Sequence, residues 1–233
     1  MIQNIIRELK NFGSPERAKH SLRFFKTGPG QYGEGDFFLG IPVPRLRKLC
    51  RDWGDMALRE VEALLKSSVH EERLLALLIL IRKYNGEDEY AKKKIYTLFL
   101  KSIRWINNWD LVDLSAPNIV GDFLIGRSRK PLYRLAHSSV LWKRRIAILA
   151  TFRFVKEQQF DETLRIGEIL LGDKEDLIQK AVGWMLREVG KRDRVVEEAF
   201  LKEHYRRMPR TMLRYAIERF PAVKKEIFMK GRI

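Results

Sequence analysis

The 233-residue chain carries 46 Lys and Arg against 30 Asp and Glu, a formal charge of +16, and 45% of it is apolar. That apolar share suits a packed core and excludes a disordered basic tail as the whole story, while the length suits one large domain or repeat array, here expected to run over 1–233. The longest apolar run, residues 74–81, is far short of the roughly 18–20 residues of a membrane span. Residues 2–12 are broken by Asn4, Arg7, Glu8 and Lys10 and hold no signal-peptide core. The lone Cys50 excludes an internal disulfide and a Cys-based zinc site. The expectation is a soluble, intracellular, basic protein.

In chain order, the first irregular stretch is 27–44 (TGPGQYGEGDFFLGIPVP), with five glycines and three prolines. A loop of that length inside a helical chain is often functional or mobile. Helical periodicity then takes over at 58–66, 69–84, Glu89–Lys101, 141–157, 162–171, 174–191 and Arg194–His204. Asn85-Gly86, residues 128–131, Gly172-Asp173 and Pro209 punctuate these segments. Alternating strand patterns are scarce, so the expected class is all-α.

Three of these helices overlay. Arg73-Leu-Leu-Ala-Leu, Arg145-Ile-Ala-Ile-Leu and Lys180-Ala-Val-Gly-Trp each place a basic residue ahead of an apolar run. Their spacing fits a period near 35–36 residues, with Trp109 heading the unit in between. A period of that size marks a helix-pair solenoid, which presents one concave surface built from equivalent positions. The expected architecture is therefore a HEAT-like α-α superhelix with a concave basic surface. In this register Arg73, Trp109, Arg145 and Lys180 form one column, and Leu77, Asp113, Leu149 and Trp184 form a second one turn later. A helical Trp is ordinarily core, and an Asp one turn on is ordinarily solvated or capping. The residues themselves leave both the structural and the functional reading open.

The charge points to a polyanion. Residues 1–120 hold 20 basic and 15 acidic side chains (+5), and residues 121–233 hold 26 and 15 (+11). DNA, RNA and anionic lipid all satisfy that total. Other chemistries fare worse. His20, His70, His137 and His204 are scattered without metal-binding spacing. Neither Gly28-Pro-Gly30 nor Gly33-Glu-Gly35 is followed by Lys-Ser/Thr, so nucleotide hydrolysis is unsupported. Cys50 lies among Lys48 and Arg51 but has no paired base, and a half-buried helical thiol is expected.

Taken in order, FFKTGPGQYGEGDFFLGIPVPRLRKL from Phe24, WDLVDLSAP from Trp109, Gly121-Asp122, WKRRIAIL from Trp142 and QKAVGWMLREVGK from Gln179 closely resemble the AlkD-like DNA alkylation repair family. The similarity covers about 170 residues, from Phe24 to Lys191. It implies a HEAT-like helical solenoid that removes N3- and N7-alkylated purines from duplex DNA. Asp113 matches the family's catalytic carboxylate, and Trp109 and Trp184 match the aromatic residues flanking the damaged nucleotide's sugar. Arg145 and Arg187 match residues that hold the backbone near the lesion. Arg144, Lys180 and Arg73 are expected on the same DNA-binding surface. Phe24 joins them, standing where some members place a Tyr, so any role for that hydroxyl is absent here.

The chemistry suits these residue types. An N7-alkylated guanine is already cationic and leaves without being protonated, so one carboxylate suffices where ordinary glycosidases need two. Asp113 would stabilise the oxocarbenium-like sugar and orient or deprotonate water. Each Trp face would add about 0.5–2 kcal/mol. With no acid to activate a neutral base, undamaged purines and uracil should be poor substrates. The resulting expectation is a cytoplasmic, bacterial-type, nucleoid-associated monomer acting in base excision repair, with no metal, redox cofactor or membrane partner. Two alternatives stand beside it: a non-catalytic DNA-binding HEAT protein, and a helical-repeat adaptor for protein or RNA. Arg206, Arg207, Arg210 and Arg214 read as a solvated face or an accessory phosphate contact.

Overall fold

The computed structural model describes residues 2–232. They fold as helices, and among them the one departure toward β-structure is an isolated parallel bridge between Phe37 and Val69. No helix among the described residues is long and apolar enough to cross a membrane. The chain divides into two compact units, 1–115 and 116–233. The charge divides with them, because residues 116–120 carry none, giving +5 (20 − 15) and +11 (26 − 15).

The first unit contains α1 (Ile2–Asn11), α2 (Pro15–Phe24), α3 (Val43–Asp52), α4 (Leu58–Leu65), α5 (His70–Gly86), α6 (Glu89–Lys101) and α7 (Trp109–Ser115), with a 3₁₀ turn at Ile103–Trp105. Helix α5 is its axis. Every residue from His70 to Leu80 is buried, the pattern of a helix covered all round, and α3, α4 and α7 pack against it. The 16-residue apolar pattern read at 69–84 thus marks a central helix. It runs through Asn85-Gly86 rather than stopping there.

The glycine-rich stretch between α2 and α3 is tied down at Phe37 to Ile41. It is fastened to the N-terminal turn of α5. Phe37 N–H donates to the Ser68 carbonyl at 3.0 Å, and His70 N–H donates to the Phe37 carbonyl at 2.8 Å. The buried Glu71 carboxylate accepts three consecutive backbone N–H groups, from Leu39 (3.0 Å), Gly40 (2.7 Å) and Ile41 (3.2 Å). Gly40 has φ +76°, and a Cβ there would strike the Ser14 carbonyl and lie 2.5 Å from Ala18 N. Only glycine fits that position.

The second unit begins with a π-helical turn at Ala116–Gly121, continued by α8 (Asp122–Leu124), α9 (Lys130–Ala136), α10 (Leu141–Ala150), α11 (Phe152–Lys156), α12 (Asp161–Ile169), α13 (Asp176–Gly190), α14 (Arg194–His204), α15 (Arg210–Ala216), a 3₁₀ turn at Ile217–Arg219 and α16 (Ala222–Lys230). Helix α13 holds this unit together, packing on α10, α14 and, most closely, α15. The approach of α15 is possible because Gly183 has no side chain to meet the Met212 carbonyl. The arginines at 206, 207, 210 and 214 are exposed, but the segment around them buries Met212, Leu213 and Ala216 against the unit.

One expected helix is two. The pattern over 141–157 breaks at Thr151, where α10 ends and α11 begins. The buried Thr151 hydroxyl donates to the Ile148 carbonyl at 2.7 Å, a back-bond of the kind that bends helices. A single hydroxyl does this without disturbing the apolar periodicity.

Candidate functional site

Asp113 and Trp109 sit one turn apart on α7, both half-buried. The short helix starts at Trp109 because Asn108 accepts the Val112 N–H through its carbonyl and sits at the N-cap position, one that Asn favours. Pro117 supplies no N–H, so a regular helix cannot continue past it undisturbed. Asp113 is therefore carried on two well-fixed turns.

The Trp109 indole is part of an aromatic cluster. It stacks on Phe25 with centroids 5.4 Å apart and planes 27° apart, and it meets Phe24 edge-on at 5.6 Å. Phe24 itself is 56% exposed and faces His20 at 6.3 Å. Behind Trp109, Phe25 and Phe38 stack at 5.1 Å, and both lie against the His70 ring, at 4.9 and 4.7 Å. Phe24, at the end of α2, is thus brought to Trp109.

His70 is the residue that reading along the chain missed. Its Nε2 is 2.8 Å from Asp110 Oδ2, and its Nδ1 makes an ionic contact with Asp36 Oδ2 at 3.5 Å. Arg73 closes the network, 2.7 Å from the same Asp36 oxygen, and donates to the Ser67 carbonyl at 2.9 Å. Burial works against a charged imidazole, but Asp110 and Asp36 outweigh it and hold His70 above its ordinary pKa. Burial likewise pushes Asp36 up, while His70, Arg73 and Asn107 together hold it below the carboxylate range. No spacing rule links these residues, since Asp36 and Asp110 lie 34 and 40 positions from His70. The Phe-Phe pairs at 24–25 and 37–38 are the only local signal.

In the second unit Trp184 is half-buried on α13. Its Nε1–H donates to Glu188 at 3.2 Å, and its ring faces Phe152 at 6.1 Å. Burial raises the Glu188 carboxyl, but Lys191, Trp184 and Arg192 hold it below its ordinary value. Arg187, one turn below Trp184, pairs with Glu218 of the 3₁₀ turn. Lys180 pairs with Asp176 at 2.6 Å and keeps 39% of its side chain exposed.

The expectation of a solvent-facing cationic column needs correction. Arg73 is 2% exposed and Arg145 5%, and neither guanidinium is open to a phosphate. A buried cation is held by internal partners: Asp36 and the Ser67 carbonyl for Arg73, the Leu177 carbonyl for Arg145. Arg145 so ties α10 to α13. Arg144 is also committed, to Asp173 at 2.6 Å and to the Ser138 and Ser139 carbonyls at 2.9 Å each. The register shifts as well. Counted from the helix starts, Trp109 is the first residue of α7, whereas Arg73, Arg145 and Lys180 are the fourth or fifth of theirs. Asp113, the fifth, is the residue of α7 that aligns with the cations.

Cys50 is buried on α3, and burial pushes its thiol up, away from nucleophilic use. Among the described residues no group of three His, Cys, Asp or Glu side chains is arranged to hold a metal ion.

Solved structures share the fold, two of them at TM-scores above 0.5. One is a protein from Enterococcus faecalis described as a predicted DNA alkylation repair enzyme, with a TM-score of 0.70 and 18% identity over 90% of this chain and 97% of that one. The other is AlkD2 from Streptococcus mutans, with a TM-score of 0.53 and 18% identity over 94% of this chain and 98% of that one. No curated protein matches the chain in sequence. The model of the DNA alkylation repair enzyme family matches residues 5–220, nearly the whole chain, and places this all-α helical-repeat protein in that family.

Proposed function

We propose that this protein is a DNA glycosylase that hydrolyses the N-glycosidic bond of cationic N3- or N7-alkylated purines in duplex DNA. The observation that carries the reading is the pairing of Asp113 with Trp109 on α7, one turn apart, with Trp109 stacked on a fixed aromatic cluster. A carboxylate beside an aromatic face is what a sugar cation requires. As the bond between C1′ and the purine nitrogen lengthens, its electron pair goes to the purine, which leaves neutral. The positive charge passes to the sugar, where Asp113 stabilises it. Water adds to C1′, and its proton is taken by Asp113 and released to solvent. The Trp109 face lowers the energy of the same cation. Trp184 enters the proposal as a second such face, and Lys180, Arg187 and Phe24 as contacts to the DNA backbone, which position the duplex without reading its sequence.

The test is release of 7-methylguanine from methylated duplex DNA. Wild type should release it, and Asp113→Asn, which keeps the side chain's size and removes its charge, should slow release by about 10²–10³-fold with duplex affinity retained. Wild type that binds duplex yet releases no base would leave a non-catalytic DNA-binding protein and end the glycosylase reading.

A further inference from the structure

The His70 network is more elaborate than helix packing requires. Four segments meet in it: the end of α2 through Phe25, the loop through Asp36 and Phe38, α5 through His70 and Arg73, and α7 through Asp110. Trp109 and Asp110 are the half-exposed groups by which it reaches α7. Both are reached from His70 directly or through one ring, since Asp110 accepts the His70 hydrogen bond and Phe25 lies between the imidazole and the indole. Asp110 also accepts the Leu111 N–H at 2.8 Å and so braces the first turn of α7.

We propose that His70, held between Asp36 and Asp110, is the positioning residue for Trp109, fixing both the backbone turn that carries the indole and the ring face on which the indole stacks. A buried cation serves better than an apolar side chain here. It is held in direction by the hydrogen bond to Asp110, is attracted to the Asp36 carboxylate 3.5 Å from its other nitrogen and lies against the faces of Phe25 and Phe38, so the ring pile is pinned in orientation as well as filled. The inference rests on the proposed role of Trp109 only for its catalytic consequence, and its structural content stands apart from that reading.

Protonation sets the sign. The charged groups facing His70 are Asp36 from the loop, Arg73 from its own helix and Asp110 from α7, while α2 faces it with the Phe25 ring. His70 titrates above its ordinary 6.5, so the clamp is complete below that pH and is lost as pH rises through the higher folded value. Asp36 is held down, so acid breaks the clamp only well below neutrality. Trp109 should therefore loosen on the alkaline side.

The test uses the full chain labelled with 5-fluorotryptophan, which has five tryptophans; the Trp109 resonance is the one lost in Trp109→Phe. It should shift with pH in step with the His70 ring proton. In His70→Gln it should be displaced and insensitive to pH. Because that variant could misfold, the wild-type titration and Asp110→Asn, which keeps the imidazole and removes one clamp, decide independently. A Trp109 resonance that ignores the His70 titration, or is unmoved in folded His70→Gln, overturns the proposal. In single-turnover base release His70→Gln should be slower by about tenfold or more, with duplex Kd changed by less than about threefold, the mark of lost orientation. A Trp109 signal that follows His70 in a protein releasing no base supports the positioning role and ends the glycosylase reading.

Discussion

Glu197 on α14 offers a measurement whose magnitude follows from the structure. It is 1% exposed, its Oε1 has no hydrogen-bond partner, and its nearest cation is Arg194, 3.4 Å away. Burial, opposed by Arg194 and Arg187 and reinforced by Glu198, pushes the carboxyl from 4.5 up to about 8. The folded protein thus keeps a proton that the unfolded chain releases above pH 4.5. Stability from this group is fully present below 4.5 and is lost as pH climbs toward 8. At ~1.4 kcal/mol per pH unit, that interval is worth about 4–5 kcal/mol. Glu197→Gln imitates the protonated acid and escapes the loss. The variant should match wild type near pH 4.5, and by about pH 8.5 should exceed it by roughly 3–5 kcal/mol. Urea unfolding at a series of pH values, followed by circular dichroism, reads this difference. A stability difference that stays constant to within about 0.5 kcal/mol across the range, or a variant that is weaker at high pH, refutes the argument.

Two further changes test how the units are held. Glu71→Gln leaves one acceptor for Gly40 and Ile41 but turns an amide N–H₂ toward the Leu39 N–H. It should cost about 1.5–3 kcal/mol in urea unfolding and raise hydrogen exchange at residues 39–41; protection there equal to wild type would show that Glu71 does not hold the loop. Gly183→Ala gains roughly 1 kcal/mol of helix propensity, but its Cβ meets the Met212 carbonyl and lies 2.6 Å from Tyr215 Cβ. Overpacking against backbone should win, for a net loss of about 1–3 kcal/mol, and an unchanged unfolding midpoint would mean that α13 and α15 are free to move apart.

What the chain discloses in advance follows from the range of each interaction. Helices α6 and α14 stand where local periodicity puts them, to the residue, because propensity, apolar spacing and their Asp caps (Asp88, Asp193) all lie within one segment. The pairing of Trp109 with Asp113 is visible for the same reason, being one helical turn. The roles of the cations are not. Arg73 reads as a surface residue until Asp36, 37 positions upstream, is brought to it, and Arg145 until the Leu177 carbonyl is. His70 looks incidental for want of both its carboxylates. Thr151 shows the opposite limit, a local cause whose residue type is too ordinary in helices to announce a break.

These internal uses of charge narrow what the +16 can mean. Arg73, Arg144 and Arg145 are spent on carbonyls and carboxylates inside their own units, and Arg187 and Lys180 each hold an acid. The long-range attraction for a polyanion therefore comes mainly from the exposed basic residues of the second unit with its +11, among them Arg206, Arg207, Arg210 and Arg214, with Lys180 and Arg187 as the proposed local backbone contacts. Such a field is long-ranged, sensitive to salt and indifferent to lesions. On the proposed function, selectivity for a damaged nucleotide falls to groups of the other kind, fixed and short-ranged: Asp113 and a tryptophan stacked on the rings around His70 in the first unit. The proposal thus divides the labour: the exposed basic residues would set how much DNA is bound, and the network around His70 what happens to it.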